Sequence, residues 1–348
     1  MARIKSRTER RAEHRRLVEH RRASQGGGST GTGGGGASGG SAEKPSEIPA
    51  RGWRDVLMRV KDEVGKDNIG LVAAGVAFYA LLAIFPALAA LVAIFGMVMD
   101  PAELQNQTQA LAGIVPEAAL SIIQGQLAAV ASAGGGKLSL VAIGSILLAL
   151  WSATKGTKAM MTALNIAYDE EEQRGFFKLN VVALLLTVGA ILGVIVTLAA
   201  IVVAPALLGN LGLGDAVQSA ISLLRWPLLL ILAIIGMAFL YRYGPSRDAA
   251  RWRWVSWGAA GSVVVWIVAS GLFSWYVSNF DSYNKTYGSL GAVVILLMWF
   301  YISAYVFLLG AEINGEMEHQ TARDTTAGPE KPMGERGAYA ADHVATAR

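Results

Sequence analysis

Six apolar blocks decide what this chain can fold into. They run over 69–99, 138–154, 180–208, 221–241, 254–277 and 288–311, each bounded by polar or turn residues. A helix needs about 20 apolar residues to cross the hydrocarbon core of a bilayer. Inside lipid the backbone finds no water, so its N–H and C=O groups must pair within the segment, which makes these blocks helices. Barrel strands would be shorter and alternate in polarity. Composition agrees: 53% of the 348 residues are hydrophobic and 16% charged, against about 25% charged in a soluble domain. The expected fold is an all-α integral membrane protein with six transmembrane helices.

Loop cations orient the spans. The 155–179 loop carries Lys155, Lys158, Arg174 and Lys178, and the 242–253 loop carries Arg242, Arg247, Arg251 and Arg253. The opposite loops are poor in cations: Lys137 in 100–137, none in 209–220, and Lys285 in 278–287. This bias predicts both termini in the cytoplasm, N-in/C-in. The 100–137 segment is too polar to span. It keeps helical spacing through Leu111, Ile114, Val115, Ala118, Ile122 and Leu127, with Pro116 at a plausible start. It is expected as an extracytoplasmic amphipathic segment between spans 1 and 2.

The flanks differ from the body. Residues 1–50 read as a disordered basic arm followed by a Gly/Ser linker, with nine Lys/Arg against three Glu in residues 1–22. No apolar stretch follows the charged start, so no secretory signal peptide is expected. The arm is a solvated, orienting tail, a ligand for anionic lipid headgroups, or a nucleic-acid contact; a specific nucleic-acid partner is not expected. Residues 51–68 hold an interfacial amphipathic helix, with Trp53, Val56, Leu57, Val60 and Val64 on one face. Arg54, Asp55, Arg59, Lys61, Asp62 and Glu63 form the other. Residues 69–318 form the six-helix domain, and 319–348 a disordered cytoplasmic tail. Gly189 and Gly193 form a GxxxG pair that allows close helix approach, and a homo-oligomer is among the expected partners, with membrane lipids.

Enzyme signatures are mostly absent. The chain has no cysteine, and His14, His20, His319 and His343 all lie in the polar flanks. It shows neither a phosphate-binding GxxxxGK[ST] loop nor an HExxH zinc motif, so no cofactor or metal is expected. Polar groups near the membrane remain, and these are costly and therefore functional candidates. Glu312 ends the sixth span, Asn165 and Tyr168 follow the second, Arg225 enters the fourth, and Asp281, Asn284 and Lys285 crowd the entry to the sixth. The tract 273–287 has six aromatics in fifteen residues. It reads as an interfacial belt or as the mouth of a lipid-facing site. Pro86 interrupts the first span and is expected to kink it and free a carbonyl.

Three motifs carry a family resemblance. AAGVAFYALLAIFPALAAL (73–91), with Phe78, Tyr79 and Pro86, resembles the first-span motif of the YihY/BrkB family of bacterial inner-membrane proteins. ALNIAYDEEEQRGFF (163–177) resembles its Asn-x-x-Tyr loop with a downstream Arg, here Asn165, Tyr168 and Arg174. Residues 272–318 resemble its longest signature: Phe273 and Tyr276, Asn279-Phe280, Tyr287-Gly288, Trp299, Gly310, Glu312 and Asn314. The resemblance covers about 52–318. Ala83 departs from the pattern, where Ser is common, which removes any hydroxyl role there.

The resemblance implies six spans, a multi-pass bacterial inner-membrane location, and a link with envelope integrity and export of lipid or lipopolysaccharide precursors. The leading expectation is a non-enzymatic transporter or flippase-like protein for a lipid or amphiphilic envelope precursor. The alternative is a non-catalytic membrane scaffold. Ribonuclease, an old family label, is the remote third. Metal-dependent RNA hydrolysis needs clustered ligands in a wet site, and the sequence offers no such cluster.

Overall fold

The computed structural model describes residues 39–98, 140–203, 215–279 and 289–345. The basic arm, the 100–137 segment, and Phe280, Tyr287 and Gly288 lie outside the described residues. Eight α-helices appear among those described: α1 (Ala50–Lys66), α2 (Ile69–Val98), α3 (Leu140–Ala167), α4 (Phe176–Leu198), α5 (Asp215–Tyr243), α6 (Trp252–Asn279), α7 (Ser289–His319) and the short α8 (Tyr339–Asp342). A π-helical turn, Ala199–Val203, continues α4.

Four of these helices contain segments long and apolar enough to cross a membrane: Phe176–Ile201, Ser219–Tyr243, Trp252–Ser278 and Val293–His319. They become five if α1 and the first half of α2 count as one span, bent by 64°. The bend has a local cause. Asn68 takes φ +53° between the two helices, a left-handed conformation that Asn tolerates better than most residues. The outer surface carries large apolar side chains, such as Leu185, Leu223, Leu228, Val268 and Leu272, an arrangement suited to lipid and not to water.

Small residues set the helix crossings. A Cβ on Gly156 of α3 would come within 3.0 Å of the Ala83 Cβ on α2 and 3.5 Å of the Tyr79 carbonyl. Ala83, 8% exposed, therefore acts by being small. On α6, a Cβ on Gly258 would meet the Gly310 carbonyl of α7 at 2.5 Å. The central core gathers Ala73, Leu164, Tyr241, Val255, Ala259 and Leu308 from α2, α3, α5, α6 and α7. Helix α2 runs through Pro86 without ending.

Three expectations need correction. Helix α3 extends to Ala167, so Lys155 and Lys158 lie within a helix and not in a loop. The charge of Lys155 depresses local hydropathy, but helical packing continues through Met161 and Leu164, both buried. Helix α1 buries most of the expected face, with Trp53 and Val64 packed against its core, but the buried surface also takes in polar residues. Val56 and Val60 are inside, but so are Asp55 and Arg59, whereas Leu57 is 57% exposed. Arg59 turns inward because its guanidinium pairs with Glu316 and donates to the Gln320 amide oxygen at 2.7 Å.

The third correction concerns the flanks. Residues 319–345 are folded rather than a disordered tail. Arg336 is buried and donates to the carbonyls of Ala322, Arg323, Lys331 and Ala341. Asp324 accepts from Thr326 and from the Lys331 amide, and these hydrogen bonds hold its carboxyl below the usual carboxylate range against the opposing effect of burial. The segment also clasps residues 39–48: Thr321 donates to the Ala42 carbonyl at 2.7 Å, and the Ala322 amide to the Gly40 carbonyl. Ala42, Ile48, Val56, Val60, Trp254 and Met317 form a small core beneath it. This platform of α1, the end of α7 and the tail closes one end of the bundle, called here the capped end.

Candidate functional site

Two places concentrate the polar residues that the motifs singled out. The first is a hydrogen-bonded knot below the platform. Asn314 on α7 is fully buried. Its Oδ1 accepts from the Gly258 amide at 3.0 Å, and its Nδ2 donates to the Tyr168 hydroxyl at 3.2 Å and to the Val255 carbonyl at 3.4 Å. The side chain thus ties α7 to α6 and to the loop after α3. Burial pushes the Tyr168 hydroxyl well above its ordinary pKa, so it stays neutral and available for hydrogen bonding. The Arg247 guanidinium lies 5.2 Å from the centre of its ring.

The loop after α3 is stapled to the end of α5. Asn165 accepts from the Ser246 amide at 2.7 Å and donates to Glu172 at 3.1 Å. Arg174 holds Glu172 through two bonds of 2.7 Å and reaches the carbonyls of Tyr243 and Gly244, which end α5. A cation at a helix C-terminus satisfies its last carbonyls and complements the macrodipole. Glu318 accepts from Arg247 at 2.6 Å, and the two side chains are 0% and 2% exposed. Glu312 is 3% exposed, and its Oε1 has no hydrogen-bond partner among the described residues.

The second place is a partly open cavity of about 520 Å³ between α2 and α3. Tyr79, Val72, Lys155, Lys158, Thr162 and Ile166 are among its lining. It lies beside the Gly156–Ala83 crossing, where the two helices touch; Gly75, which also lines it, faces open space. Lys158 donates to the Asn180 amide oxygen and lies over the Trp151 ring at 5.0 Å. Lys155 is exposed and makes no hydrogen bond or ion pair among the described residues.

The motif residues therefore do not form one site. Asn165, Tyr168, Arg174, Gly310, Glu312 and Asn314 meet at the capped end. Tyr79 belongs to the cavity, and Phe78 packs edge-on against it at 5.6 Å. Trp299 donates to Ser270 at 3.3 Å and sits beside Trp266, half-way along α6 and α7. Phe273 is half-buried and Tyr276 exposed near the end of α6, about 27 Å along the axis from Gly258. Asn279 ends that helix, and the rest of the aromatic tract is outside the described residues. Sequence reasoning passed over Glu172, Ser246, Glu318 and the inward roles of Arg59 and Arg247. The only signal for them was a cation and a carboxylate on the flanks of different spans.

The profile of the virulence factor BrkB family matches residues 60–334, which include the knot, the cavity and part of the platform. The chain belongs to this family. A putative ribonuclease-like protein YfkH of Bacillus subtilis is 33% identical over 251 residues, covering 69% of this chain and 87% of the relative. A UPF0761 membrane protein of Vibrio cholerae is 28% identical over 155 residues, or 43% of this chain and 50% of its own length. Another, of Vibrio campbellii, is 31% identical over 160 residues. No solved structure matches. Among the described residues no group of three or more His, Cys, Asp or Glu is placed to hold a metal ion.

Proposed function

We propose that this BrkB-family membrane protein is a non-enzymatic transporter, moving a lipid or amphiphilic envelope precursor between leaflets of the bacterial inner membrane. The cavity between α2 and α3 carries the reading. It is of ligand size, it is partly open beside exposed apolar residues of α2 such as Leu71 and Leu82, against which an acyl chain can lie, and its wall is apolar with a few polar groups. A carrier of small ions would instead bury paired charge near mid-membrane. In this reading α2 through α7 are six spans. The capped end faces the cytoplasm, because Arg54, Lys61, Arg174, Lys178, Arg251 and Arg253 gather there. The basic residues of the arm then suit the anionic inner leaflet as a partner.

The test is leaflet exchange. Liposomes containing the purified chain and a headgroup-labelled phospholipid are treated with an external quencher. Exchange faster than in protein-free liposomes is expected. Exchange at the protein-free rate, with the chain folded, overturns the reading.

A second reading, a scaffold for envelope integrity, is favoured by the folded platform, which offers a partner a rigid surface. Deleting residues 1–38 separates the two. The cut leaves every described contact of the platform intact, so transport survives it, whereas a scaffold that recruits through the arm fails. The relative's ribonuclease-like name gains no support from the residues here. Purified chain with RNA and divalent metal is expected to give no cleavage.

A further inference from the structure

We infer that the cavity between α2 and α3 selects an anionic glycerophospholipid, whose phosphate is met by Lys155. The inference rests on the transport reading for the cavity's purpose, but it concerns which headgroup binds there.

Charge comes first. The lining holds two lysines, Lys155 and Lys158, and no carboxylate. A zwitterionic headgroup gains little from such a wall, because its own ammonium meets only cations. Lys158 is committed to Asn180 and the Trp151 ring. Lys155 is exposed and has no hydrogen-bond or ion-pair partner among the described residues, so its three donors are free for a phosphate oxygen.

Depth comes second. Lys155 stands twelve residues before the end of α3 at Ala167, about 18 Å along the helix. An ammonium at that depth on a lipid-facing groove is costly unless it snorkels or finds an anion. A phosphate drawn into the groove supplies that anion. Neighbouring donors complete a headgroup site: the Tyr79 and Thr162 hydroxyls line the same space. The groove extends from Lys155 to Ile166, about 16 Å along α3, and it is open enough to leave the acyl chains outside it. A free phosphate would lose this apolar contact, which is why a lipid is the proposed occupant.

The experiment is native mass spectrometry of the full chain, titrated in detergent with phosphatidylglycerol or phosphatidylcholine of matched chains. Wild type is expected to bind phosphatidylglycerol about fivefold more tightly, the worth of one cation near an anionic group. Lys155→Gln should bring the two lipids within about twofold, and Lys155→Arg should restore the preference. Equal binding by wild type, or a preference that survives Lys155→Gln, overturns the inference. Inorganic phosphate displacing the lipid at comparable concentration overturns the lipid assignment, and failure to displace it supports the assignment. Leaflet exchange run in parallel keeps the two readings apart. Exchange without headgroup preference sinks the Lys155 site alone. Preference without exchange keeps the site and sinks transport.

Discussion

Arg247 and Glu318 show what individual residues do at the capped end. Their side chains are 2% and 0% exposed and meet at 2.6 Å. Burial opposes the guanidinium charge, but Glu318 outweighs it and holds Arg247 above its ordinary pKa. Removing one partner leaves a buried charge unmatched, which costs about 3–5 kcal/mol. Arg247→Met should therefore lower the thermal unfolding midpoint of the detergent-solubilised chain markedly, and adding Glu318→Leu should recover part of the loss. An Arg247→Met chain that melts with wild type would contradict the pairing. Glu172 gives a pH test. Its partial burial raises its pKa, but the hydrogen bonds and charge of Arg174 prevail and hold it at about 2 against an ordinary 4.5. A depressed folded-state pKa means that the contribution to stability is complete above about 4.5 and fades as pH falls towards about 2. A carbon-13 titration of Glu172 should give a midpoint near the lower value, moving back towards the ordinary one in Arg174→Gln.

Among elements, the α6–α7 crossing makes the strongest demand on side-chain size. A Cβ on Gly310 would stand 2.7 Å from the Ser262 Cβ and 3.0 Å from the Gly258 carbonyl, whereas one on Gly261 would meet nothing within 4 Å. Gly310→Ala should destabilise by about 1–3 kcal/mol, and Gly261→Ala by far less, in the same unfolding assay. Equal effects would mean that helix propensity, not crossing distance, decides. The two glycines also mark the limit of what the chain reveals before folding. The apolar blocks were legible because a membrane helix writes its length into composition, and α4 to α7 lie where the blocks predict. Asn165, Tyr168, Arg174 and Asn314 stood out through the motif resemblance. Their partners Ser246 and Gly258 did not, because hydrogen bonds between residues far apart in sequence leave no periodic trace. The end of α3 was misjudged for a related reason. Lys155 and Lys158 look like loop cations until a groove and Asn180 are seen beside them.

Across the whole molecule, the capped end unites segments that lie far apart in the chain. Residues 39–48, α1, the end of α7 and the tail share one small core and one web of hydrogen bonds. Ending the chain after His319 removes Gln320 from Arg59, Thr325 from Glu318 and Thr321 from the Ala42 carbonyl. Such a chain should keep its membrane helices but expose α1, read as faster protease cleavage within 50–66 in liposomes. Unchanged cleavage would mean that α1 is held by Glu316 and the core alone. The Arg59–Glu316 pair, 257 residues apart in sequence, has a further consequence in the order of synthesis. The ribosome makes Arg59 in the first of these helices and Glu316 near the end of α7. Throughout elongation the guanidinium waits without its carboxylate, and α1 cannot seat on a surface that does not yet exist. Closure of the capped end therefore requires that translation has passed the end of α7, and a product that stops before Glu316 carries a first helix without its buried partner.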